Sequence, residues 1–158
     1  MHKPSTIFLQ ITIVLAGIGA LAFLIWEPRV EGVNANATNW QMYSDPFILL
    51  VYAGSLPFFY ALYQAFKLLG HVRQDRVFTL NSAKALRTIK YCAFSVIGFV
   101  IVEEITIMLN HGDDDATGAI MLGVMIIFCS IVVAVVANMF EKLVQNTIAA
   151  SPAGLREL

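Results

Sequence analysis

Two adjacent carboxylates, Glu103 and Glu104, stand inside an otherwise apolar run, YCAFSVIGFVIVEEITIML, from Tyr91 to Leu109. An ionised carboxylate is expensive in hydrocarbon, so such a residue faces the interior of a helix bundle, finds a cation, or takes up a proton. That is the chemistry of a proton or cation relay, or of a ligand contact. A second account fits the same residues: in a short or tilted span both side chains reach the outer headgroups, with Asn110 and the acidic trio Asp113, Asp114 and Asp115 close behind. Neighbours on a helix point about 100° apart, so the pair does not share one narrow face.

Two other polar residues within apolar runs stand out. Asn138 shares a helical face with Ser130 and Ala134, and Gln64 lies at similar depth in another run. Small and polar residues at that spacing permit close helix contact and inter-helix hydrogen bonds, with pore lining as the rival account. The cationic residues Arg73, Arg76, Lys84, Arg87 and Lys90 crowd into one connection. They suit anionic lipid headgroups or an acidic face on a partner, and they also suit a plain topology signal. His111 beside the three aspartates invites a metal, but consecutive acids in a short loop rarely converge on one ion, so no metal site is assigned. HExxH, GxSxG, the Walker loop and the dinucleotide fingerprint are all missing, and His2, His71 and His111 are dispersed. The chain reads as a non-enzyme without a cofactor, catalytic residue or nucleic-acid surface. Cys92 and Cys129 fall inside apolar runs and behave as small hydrophobes.

The elements that position these residues follow from hydropathy. Of 158 residues, 58% are hydrophobic and only 13% charged, too few charges to keep a soluble domain of this size dispersed. The apolar residues come in blocks long enough to cross about 30 Å of hydrocarbon. Without water, each block closes its own backbone hydrogen bonds as a helix; the alternation of a barrel strand is absent. Four spans result, at about 7–26, 46–69, 89–109 and 117–140, in a single all-α membrane domain forming one bundle. The first is read as a retained span, stopped by Glu27 and Pro28, because it is long for a signal core. Residues 27–45 read as an extracytoplasmic loop without helical periodicity, ordered in part by Trp40, Met42 and Tyr43. Pro46 opens the second span and Pro57 interrupts it, which predicts a bend. Asn81 or Ser82 is placed to cap the helix that continues into the third span.

Orientation follows from charge. The connection 70–90 with Lys67 holds six Lys and Arg residues against Asp75, whereas the loops on the other side are net acidic. Lys and Arg concentrate on the cytoplasmic side, which places both termini inside a bacterial plasma membrane.

The stretches PFFYALYQAFKLLG, VFTLNSAKALRTIKYCAFS and SIVVAVVANMFEKLVQN resemble the DUF2975 family of bacterial membrane proteins, and its Bacillus-type members above all. The most specific part runs from Phe78 to Cys92. The resemblance implies four spans and an uncharacterised role, with a small helix-turn-helix regulator often encoded nearby; it supplies no ligand or catalytic set. The tail departs from the family: Ala150-Ser151-Pro152-Ala153-Gly154 replaces an acidic stretch. Two functions are therefore expected in competition. One is a regulatory, sensing or membrane-protecting protein that engages a partner through its basic cytoplasmic connection. The other is a small transporter or ion conductor using Glu103 or Glu104. Membrane lipids are partners in either case, and the small-residue faces permit a homo-oligomer.

Overall fold

The computed structural model describes residues 3–30, 36–110 and 116–151, which are mostly helical with no strand among them. Five helices follow in order: α1 (Lys3–Val30), α2 (Asn39–Ser44), α3 (Pro46–Arg73), α4 (Leu80–Asn110) and α5 (Thr117–Ala150). All but α2 are long and apolar enough to cross a membrane.

Each boundary has a local cause. The α1 helix passes Pro28, where a stop was expected, and continues to Val30. Proline lacks an N–H and so orphans the carbonyl four residues back, that of Leu24. The Tyr52 hydroxyl donates to that oxygen at 3.0 Å, so a tyrosine from α3 replaces the lost bond. Within the first loop, Thr38 and Gln41 form a reciprocal capping box and start the six-residue α2, which seals Met42 against the fold at 2% exposure. Asp45 then caps α3 through the Phe47 N–H, with Pro46 in the first turn where no donor is needed. At the start of α4 the cap is Thr79, earlier than Asn81 or Ser82: its hydroxyl accepts from the Ser82 N–H at 3.3 Å. Ser82 has turned inward instead and is fully buried.

The helices pack in series. Gln10 reaches the Phe66 carbonyl, Gly17 meets Leu62, and Tyr52 meets Leu24, so α1 runs antiparallel to α3. Gly54 lies against Phe99 and Glu103, and Leu68 packs on the cluster of Ala83 and Leu86, so α3 runs antiparallel to α4. Glu104 meets Gly123 and Arg87 meets Glu141, which sets α5 antiparallel to α4. The substantial contacts are α1 with α3, α3 with α4 and α4 with α5; α4 and α5 are the most extensively joined. Both described ends of the chain therefore lie at one end of the bundle, which also carries the basic α3–α4 turn. Along the outer faces Phe8, Leu15, Phe94, Phe128 and Val135 are exposed. A soluble monomer rarely shows so much contiguous apolar surface; in a membrane it is the lipid face.

Candidate functional site

At the basic end, α4 presents Arg87 and Lys90 on one face, three residues apart. Across from them α5 presents Asn138, Glu141 and Gln145, the i, i+3, i+7 stripe of a helix. Arg87 Nε donates to Glu141 Oε1 at 2.8 Å, and Lys90 Nζ donates to Oε2 at 2.9 Å. Lys90 also reaches Asn138 Oδ1 at 3.3 Å, and Gln145 Nε2 donates to Glu141 Oε1 at 3.3 Å. Glu141 is only 4% exposed. The hydrogen bond from Lys90 holds its carboxyl below the usual carboxylate range; burial opposes this, and the Arg87 bond adds to it. The same carboxylate raises the Arg87 guanidinium. A buried charge is tolerable only when its lone pairs are filled, and here one carboxylate takes three donors. Just beyond it Ala83, Leu86 and Val144 close a small core, with Leu68 and Ile148 packed on it.

This clamp divides the basic connection in two. Arg87 and Lys90 spend their charge on Glu141 within the chain. Arg73, Arg76 and Lys84 are exposed, and among the described residues no carboxylate lies within ion-pairing distance of them. The turn that follows Arg73 and carries Arg76 is closed by backbone hydrogen bonds. Gln74 N–H bonds back to the carbonyls of Gly70 and His71, and Arg76 N–H bonds to that of His71 at 2.9 Å. Asp75 adopts φ 56°, a left-handed conformation that aspartate tolerates better than most residues. Beneath it the Ser82 hydroxyl lies 3.3 Å from the Arg76 carbonyl and 3.4 Å from His71 Nδ1.

Toward the opposite end, Glu103 and Glu104 are both half-buried and turn to different neighbours. Glu103 lies on Gly54 of α3: a Cβ built there would stand 3.1 Å from its Oε1 and 2.9 Å from the Phe99 Cβ. Glu104 lies on Gly123 of α5, where a Cβ would overlap its carboxylate. Each carboxylate thus occupies the gap left by a glycine on an adjacent helix, Glu103 toward α3 and Glu104 toward α5. They sit about 9 Å along the helix from its end at Asn110.

Of the other residues singled out, Asn138 is joined to Lys90 rather than to Gln64, which is half-buried on α3. Residues 111–115, with His111 and the three aspartates, lie outside the described residues; among those described, no cluster of His, Cys, Asp and Glu suits a metal. Glu141 was not anticipated from the sequence. The available signal was register: an acid at the first position beyond the apolar run of α5, on the stripe of Asn138, meets the bases at the equivalent level of α4.

A family model described as "Protein of unknown function (DUF2975)" matches residues 30–152. The chain is 39% identical over 150 residues to the "Uncharacterized membrane protein YoaS" of Bacillus subtilis (strain 168), with 94% of each chain covered. No solved structure matches it.

Proposed function

We propose that this chain, which belongs to the DUF2975 family, is a non-enzymatic membrane protein with a regulatory, sensing or membrane-protecting role, exercised by the basic turn between α3 and α4. One observation carries the reading: the connection divides into cations paired with Glu141 and cations with no carboxylate partner among the described residues. A topology signal alone needs only positive charge near the span and is indifferent to how it is paired. Here Arg73 and Arg76 are presented at a turn closed by backbone hydrogen bonds and Lys84 at the start of α4, whereas Arg87 and Lys90 hold the helices beneath them. An exposed cationic surface on an ordered backbone suits an acidic partner, because little backbone ordering remains to oppose binding. In this reading the turn and both chain ends face the cytoplasm of a bacterial cell, and the membrane is the plasma membrane.

The test is crosslinking in membranes followed by identification of captured proteins. Charge reversal at Arg73, Arg76 and Lys84 together is expected to remove specific partners while insertion and abundance stay at wild-type levels. An unchanged partner set and an unchanged phenotype in that triple variant would refute the role assigned to the turn.

A further inference from the structure

The strongest feature outside the clamp is a wedge at the basic end, where the start of α1 meets the α3–α4 turn. It is lined by Ile7, Arg73, Gln74, Asp75 and Arg76. We infer that this wedge binds the headgroup of an anionic glycerophospholipid, with Arg73 and Arg76 on the phosphate and the acyl chains lying along α1. The inference rests on the reading of the turn as the working surface, and it names that surface's membrane ligand.

Two observations point to a lipid rather than to a soluble anion, and a third fits its headgroup. First, depth: Gln10 bonds the Phe66 carbonyl and nears Gly70, so the first apolar turn of α1 is level with the last turn of α3, where Arg73 stands. Guanidinium groups and the beginning of the lipid face thus occupy one level, as phosphate and acyl chain do in a phospholipid. Second, continuity: Ile7 belongs both to the wedge and to an outward surface that continues through Phe8, Leu9 and Ile11, all exposed. Third, chemistry: the lining combines Arg73 and Arg76 with Gln74 and Asp75. A phosphodiester carries no proton to donate to the Asp75 carboxylate, but the hydroxyls of a glycerol headgroup can donate to it while the phosphodiester takes the arginines. Free phosphate also carries a P–OH at neutral pH, so depth and continuity are what separate a lipid from a soluble anion.

Native mass spectrometry from detergent, after exchange with phosphatidylglycerol or phosphatidylcholine of identical acyl chains, tests the site. Wild-type protein is expected to retain phosphatidylglycerol at least about fivefold over phosphatidylcholine, the scale of one net cation at the membrane surface. Arg73→Gln with Arg76→Gln should bring that ratio close to one, and Lys84→Gln should leave it unchanged. Inorganic phosphate in excess should not displace the lipid. Equal retention of the two lipids by wild type overturns the site without needing any variant to fold. Loss of selectivity in Lys84→Gln equal to that in the arginine pair overturns it too, as would displacement by phosphate. If the lipid preference holds while charge reversal leaves partners and phenotype unchanged, the partner role falls and the lipid site stands.

Discussion

Glu141 is the residue on which most of the basic end depends. It sits one position past the apolar run of α5, where a sequence reading sees the beginning of a polar tail, so its burial was not legible from α5 alone. Only the antiparallel register with α4 brings Arg87 and Lys90 to it. Removing one member of a buried pair costs more than the pair contributes, because the remaining charge stays desolvated. Glu141→Gln should therefore destabilise the protein by about 2 kcal/mol near neutral pH, largely through Lys90, since the Arg87 side chain is 53% exposed and can turn to water. The pH dependence has a definite sign. The folded state holds the Glu141 carboxyl below its ordinary value, so its stabilisation is full above the unfolded pKa of about 4.3 and is lost as pH falls through the lower folded value. Thermal unfolding in detergent between about pH 6 and pH 3 should show wild type and Glu141→Gln converging at the acid end. A constant gap across that range would mean that the carboxylate is not held by its charge.

At the scale of elements, the four long helices were readable because lipid leaves an apolar run no other way to satisfy its backbone. What hydropathy could not supply was how the helices meet. Gly54 and Gly123 were visible only as small residues, whereas the structure makes them the seats of Glu103 and Glu104 on two different helices. The short α2 was hidden because six residues are too few for periodicity, although the Thr38-x-x-Gln41 capping box was present in the sequence. The two glycine seats differ in what a methyl group would strike. In Gly54→Ala it meets the Phe99 Cβ at 2.9 Å, an atom fixed to the α4 backbone, so the helices must separate. In Gly123→Ala it meets the end of a flexible glutamate side chain, which can swing aside. Gly54→Ala is expected to cost about 1–3 kcal/mol, in the range of overpacked cores, and Gly123→Ala less. Glu104→Ala added to Gly123→Ala should recover most of that smaller loss. Equal destabilisation by the two alanines, or no recovery in the double variant, would show that the carboxylates are not seated on these glycines.

For the whole molecule the question is which end faces the cytoplasm, and packing alone does not answer it because helices of either orientation make the same contacts. The argument comes from charge and burial together. Six cations cluster at the end that holds the clamp and the α3–α4 turn, two of them share the single Glu141 carboxylate, and the remainder still outnumber the acids of that turn. Translocating them would oppose the rule that Lys and Arg stay on the cytoplasmic side, and it would remove Arg73 and Arg76 from the more anionic leaflet. At the opposite end α2 carries Trp40, 82% exposed, at the level where an aromatic side chain settles among headgroups. Two positions thus report on the two faces without touching the core. With Cys92 and Cys129 replaced by serine, Trp40→Cys should react with a membrane-impermeant maleimide in intact cells. Lys84→Cys should react only after permeabilisation. The reverse pattern would invert the protein, place the basic turn outside, and remove the physical basis for a cytoplasmic partner, because the cations would then face a surface from which such a partner is excluded.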